Sequence, residues 1–136
     1  MREAILKQIN AARASGYVCG TEIMRPVAAM AWNDVLFSAA ARHSKDMAIR
    51  NYFSHTTPEG VTFSQRLANE GYGSWAAGEN IAAGQSTVSG VMASWLTSEG
   101  HCRNIMQPVL NEVAVACVSL AGTTYGTYWT MDLGGR

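Results

Sequence analysis

The 136 residues predict an α+β fold, and three features carry that prediction. Apolar residues recur at helical spacing through the N-terminal two thirds. After Asn111 the period changes to two, with Val113, Val115 and Cys117 alternating against Ala114, Ala116 and Val118. Between these regions, Ala77-Gly78-Glu79-Asn80-Ile81-Ala82-Ala83-Gly84 reads as a short buried strand flanked by glycines. Helices followed by locally pairing strands suit a sheet covered by helices.

Composition bounds the function. The length fits a single domain, 1–136, able to bury a real core. Charged residues are 15% and hydrophobic ones 48%, the balance of a globular chain rather than a disordered one. Net charge is zero with no basic run, which argues against a nucleic-acid partner. No apolar run reaches membrane-spanning length and no secretory leader is recognisable. A monomer is expected.

The first helix is read from the stripe Ile5, Leu6, Ile9 and Ala12, with Gly16 as its stop. Residues 15–31, containing Cys19-Gly20 and Pro26, read as a loop. Asn33 or Asp34 then caps the clearest helix, with Leu36, Ala40, His43 and Met47 on one face. His43 on that face is expected to be a core histidine bonded to a carbonyl. Residues 51–61 form a loop anchored by Tyr52 and Phe53, which leaves His55 aimed by its neighbours. Thr62 and Gln65 have capping-box spacing, so a short helix runs to about Asn69 and Gly71 ends it.

Thr87 caps the next helix, with Val88, Val91, Met92 and Trp95 as its buried stripe. Gly90 weakens that helix by about 1 kcal/mol relative to Ala, which predicts a close packing contact there. Ser98 restarts a short helix through His101 and Ile105, stopped by Pro108. A hairpin then turns at Ala121-Gly122-Thr123-Thr124 into a strand over 125–133, with the strand near 79–83 as its neighbour.

Glu79 is the residue that most needs a chemical reason, because a lone carboxylate in an apolar run is costly to bury. A structural hydrogen bond to backbone donors is one reason. The other is a polar cleft in which Glu79 and a histidine share a proton or a metal. The three cysteines, Cys19, Cys102 and Cys117, contain no C-x-x-C pair, so a structural zinc site is not expected. Their count allows either one disulfide and a buried thiol, or three free thiols.

An ordered set of motifs carries a resemblance. It comprises Asn10-Ala11-Ala12-Arg13, Trp32-Asn33, His43, Asp46-Met47-Ala48, Asn51-Tyr52-Phe53-Ser54-His55-Thr56 and Gly78-Glu79-Asn80-Ile81-Ala82. Trp95, Gly100-His101, Asn104-Ile105-Met106 and Tyr128-Trp129 complete it. In order and spacing the chain resembles a CAP-superfamily domain, the group of cysteine-rich secretory, antigen 5 and pathogenesis-related proteins. It is most similar to the bacterial single-domain, SCP-like branch. The resemblance implies an α-β-α sandwich with a small antiparallel sheet between helical layers. It also implies a secreted, extracellular or periplasmic protein. It further implies a cleft of two histidines and two acids that binds Zn²⁺ or another divalent cation in some members. The matching positions are His55, Glu79, His101 and Glu112. Val109-Leu110-Asn111-Glu112 lacks the histidine that eukaryotic members place there, and His101 stands in for it. A recurrent pairing in the bacterial branch implies a Cys19–Cys102 disulfide, with Cys102–Cys117 as the rival.

Three functions follow from this reading. One is a secreted binding module for a lipid, sterol or extracellular protein. Another is a metal-dependent or His/Glu hydrolase. The third is a purely structural polar cluster. No G-x-S-x-G elbow and no H-E-x-x-H helix is present, and Ser54 or Ser98 beside a histidine in sequence does not make a triad. Lipid binding is expected on apolar helical surface, at Phe63, Leu67, Met92 and Leu96, rather than in the cleft.

Overall fold

A computed structural model describes all 136 residues. The order is α1 (Arg2–Ser15), β1 (Tyr17–Cys19), β2 (Glu22–Met24), β3 (Ala31–Trp32), α2 (Asp34–Arg50), α3 (Phe63–Asn69), β4 (Ala76–Ala83), α4 (Val88–Leu96), α5 (Glu99–Ile105), β5 (Glu112–Ser119) and β6 (Thr127–Gly135). The segment read as one loop before α2 therefore contains a small hairpin, β1–β2, and the two-residue strand β3. Such short strands leave no period-two signal to read. The main sheet has the order β3-β5-β6-β4, antiparallel except for the parallel β3–β5 pair. β4 is thus an edge strand, not the centre of the sheet.

Strand alternation sends successive side chains to opposite faces, and helices cover both. On one face α1, α4 and α5 bury Ile5, Ile9, Val91, Trp95 and Ile105 against Val113, Val115 and Met131. On the other, α2 brings Leu36 and Ala39 to Ala114 and Tyr72, and Met47 and Ala48 to Ile81 and Tyr128. The result is the expected α-β-α sandwich.

The caps match the sequence. The Asn33 side chain accepts from the amides of Val35 and Leu36, and Asn51 ends α2 in the left-handed conformation with φ 52°. The Thr62–Gln65 capping box forms in full. Gly90 is explained differently from the expectation. A Cβ there would lie 3.0 Å from the Thr87 hydroxyl, which caps the Gly90 amide, so the tight contact is with the helix's own cap.

Two long-range ties fix the α1/α5 layer. Arg13, 1% exposed, donates from Nε to the Ala28 carbonyl at 2.7 Å and from one terminal nitrogen to the carbonyls of Ile105 and Gln107 at 2.7 and 2.9 Å. Those acceptors include an orphan carbonyl at the end of α5, which a buried cation satisfies well. A Cys19–Cys102 disulfide joins β1 to α5 across 83 residues of sequence, and Cys117 is free and half-buried. Closing a loop of that length contributes about 4–5 kcal/mol in the chain-entropy model.

The apolar helical surface expected for lipid is not available as such. Leu67 is 2% exposed and Met92 1%, because both point into the core. Leu96 packs half-buried against the larger core cluster and Phe63 against the α2-side cluster.

Candidate functional site

Glu79 and Asn80 lie side by side in β4 and serve opposite faces of the sheet. The Glu79 side chain is completely buried on the α2/α3 side. Asn80 turns to the α5 side, where its amide donates to the His101 carbonyl at 3.1 Å and accepts from the Asn104 amide at 2.9 Å. The Asn104 amide also reaches the Glu79 carbonyl at 3.4 Å. The disulfide at Cys102 holds this end of α5 in place.

Three groups meet the Glu79 carboxylate. His55 Nδ1 is 2.9 Å from Oε1. Arg66 straddles the carboxylate, donating to Oε1 at 2.8 Å and Oε2 at 2.9 Å, and the same nitrogen donates to the His55 carbonyl at 2.8 Å. Arg66 is in the last turn of the short helix α3, whose capping box sets where the helix begins. That side chain ties the 51–62 segment to β4. The base of the segment is held separately. Tyr52 donates to Asp46 at 2.5 Å, and Arg50 bridges Asp46 and Glu59.

The third group is Asp132, directly opposite Glu79 in the β4–β6 register and fully buried. Neither of its carboxyl oxygens finds an N–H or O–H donor, so an ionised Asp132 would be stranded. Burial, together with the neighbouring Glu79 carboxylate, pushes the Asp132 carboxyl well above its ordinary range. Burial acts on Glu79 in the same direction. Hydrogen bonds from His55, Asp132 and Arg66 outweigh it and hold Glu79 at about 2. The pair therefore carries one negative charge and one proton, with Asp132 as the neutral donor.

His101 is at the start of α5. Burial lowers its pKa, and the nearby His55 lowers it further. His43 is on the core side of α2, 1% exposed, donates from Nε2 to the Ser54 carbonyl at 2.8 Å, and lies within electrostatic reach of Arg66 and Glu79. Burial depresses its pKa too. Glu112 belongs elsewhere. It accepts from Tyr72 at 2.6 Å, from Arg136 at 2.9 Å and from Asn33 at 3.2 Å, a cluster that fastens the C-terminus to the sheet.

The four residues expected to converge are therefore divided. His55 and Glu79 touch, His101 is near them, and Glu112 is part of another network. No three His, Cys, Asp or Glu side chains come together as a metal ligand set. The carboxylate that would bind the cation is already paired with a guanidinium. Displacing that guanidinium would leave an unpaired charge in a site where Arg66 is only 10% exposed. The donor set as arranged does not fit a divalent cation.

Arg66 and Asp132 were missed in the sequence. Arg66 gave no signal, because a cation in the last turn of a helix is what the dipole favours and needs no other reason. Asp132 had the same signal as Glu79, a lone acid in an apolar strand.

The profile of the cysteine-rich secretory protein (CAP) family matches residues 6–133. An uncharacterised protein of Bacillus subtilis, YkwD, is 34% identical over 104 residues, covering 76% of this chain and 38% of YkwD. Among solved structures, an extracellular SCP-domain protein of Bacillus anthracis is 29% identical with a TM-score of 0.75, matching 99% of this chain and 41% of that one. An outer surface protein of Borrelia burgdorferi shares the fold at 17% identity, with a TM-score of 0.81 over 98% of this chain and 91% of that one. YkwD and the Bacillus anthracis protein are thus more than twice as long as the part this chain matches. Matched across nearly its whole length, the chain belongs to the cysteine-rich secretory protein family.

Proposed function

We propose that the chain is an extracellular binding module whose partner, a protein rather than a lipid or sterol, seats at the cleft around His55 and Glu79. The observation that carries this is the closed pairing of Arg66 with Glu79. A hydrolase would need that carboxylate free to take a proton or to hold a metal that activates water. Here it is spent on holding the 51–62 segment against β4, which builds a shaped, rigid wall. The buried positions of Leu67 and Met92 argue against an acyl-chain or sterol surface on α3 and α4. Export is supported by the disulfide, which persists in oxidising compartments, and by an extracellular relative. No helix is long and apolar enough to cross a membrane.

Calorimetric titration with zinc, calcium and a soluble sterol, on wild type and His55→Ala, tests the reading. We expect no stoichiometric heat from any of the three. A stoichiometric zinc complex lost in His55→Ala would replace this reading with the metal-dependent hydrolase. Saturable sterol binding would restore the lipid module.

A further inference from the structure

The free edge of β4 is only half covered. In an antiparallel ladder alternate residues bond one neighbour and the others face away. The Gly84 amide donates to the Thr127 carbonyl, which sets the phase. Gly78, Asn80 and Ala82 therefore bond β6, while Ala77, Glu79 and Ile81 turn their amides and carbonyls outward. The β5 side agrees, because the Gly134 carbonyl opposite Ala77 already accepts from Asn111. At the upper end the outward carbonyls are capped by side chains. Trp95 Nε1 donates to Ile81 at 3.1 Å and Asn104 to Glu79. Below Glu79 this cover stops, and no side chain caps the amide or carbonyl of Ala77.

We infer that the open end of β4 at Ala77 is a docking edge for an extended peptide segment of a protein partner, which adds to the sheet as a further strand. This rests on the binding-module reading and names its partner class. Ala77 borders two grooves at once, one of about 490 Å³ with His55, Phe63 and Glu79, and one of about 440 Å³ with Trp75. Natural sheets charge, shorten or cover such edges, and this stretch carries only Ala76, Ala77 and Gly78. Small residues let another backbone approach. No unpaired charge lines either groove, since Glu79 is neutralised by Arg66, so the surface complements neutral amides rather than ionic groups. Trp75, 68% exposed, is a large apolar side chain with little cover of its own and would anchor one partner side chain.

Selection of a phage-displayed random heptapeptide library against the whole protein, followed by amide hydrogen exchange, tests this. Enriched peptides should slow exchange at Ala77. Ala77→Pro removes that donor from outside the β6 ladder, where an edge strand tolerates proline, and should weaken them about fivefold to tenfold. Trp75→Ala should weaken them about tenfold or more. The inference is overturned if no peptide is enriched, or if enriched peptides leave exchange at Ala77 unchanged. It is also overturned if Ala77 becomes protected with rising protein concentration alone, which would assign the edge to a second copy. Enriched peptides that lose affinity in His55→Ala yet ignore Ala77 would keep the binding-module reading and remove only the edge.

Discussion

Glu79 and Glu112 are two acids of the same small sheet, and they are neutralised in opposite ways. Glu79 is buried and held by a nearly buried Arg66, by His55 and by a protonated neighbour, Asp132. Glu112 is at the start of β5, partly exposed, and held by the exposed Arg136, the phenol of Tyr72 and the Asn33 amide. The contrast shows where a carboxylate's partners matter. In the interior, loss of the cation leaves an uncompensated charge that water cannot reach. At the surface, solvent takes over from the lost partner.

The largest effect is expected from breaking the interior pair. Arg66→Met should destabilise by about 3–5 kcal/mol, read from urea unfolding, because Glu79 remains buried without its cation. Arg136→Ala on the Glu112 side should leave the midpoint almost unchanged. If the two variants behave alike, the distinction between the regions is wrong.

Next is the covalent tie. Cys102→Ser should cost about 2–5 kcal/mol. It should also loosen α5, so hydrogen exchange should accelerate at His101 and Asn104 while the Tyr72–Glu112 region stays protected. Equal acceleration in both places would show that the disulfide stabilises globally rather than anchoring the Glu79 side.

The shared proton gives a pH signature with a defined sign. Asp132 is raised on folding, so its contribution is fully present below the unfolded carboxyl range and is lost as pH rises through its folded value. Glu79 is depressed to about 2, so its contribution is present above the unfolded value and fades as pH falls toward 2. His43 and His101, both depressed, lose stability as pH falls below about 6.5. Asp132→Asn keeps a neutral donor and should abolish the alkaline loss while leaving the acid limb in place. An unchanged alkaline limb would mean that Asp132 is not the protonated partner. The smallest effect concerns Glu112. Tyr72→Phe removes one hydrogen bond to it and should cost about 1 kcal/mol in thermal or urea unfolding.

Much of the fold was legible because its signals are local. The Asn33 and Thr62 caps, the stripe of α2 and the alternation of β5 each lie within a few residues of one another, where sterics and burial act directly. Glu79 was legible for a similar reason, since an acid in an apolar run stands out whatever its partners. The short strands before α2 were not legible, because two or three residues carry no period. Asp132 carried the same local signal as Glu79, but the pairing of the two was not legible, because it depends on which residue of β4 lies across from Asp132.

What the sequence determined by itself is therefore the set of elements, their caps, the family motifs and the presence of a polar centre at Glu79. Tertiary structure decided the rest. It placed β4 at the edge of the sheet, paired Glu79 with Arg66 and Asp132, and carried Glu112 away to the C-terminus. The physical reason is range. Backbone preference and side-chain periodicity act over a turn or a few strand residues, whereas the partner of a buried charge is chosen by strand register and layer packing, across 13 residues of sequence to Arg66 and across strands to Asp132, far along the chain on the neighbouring β6.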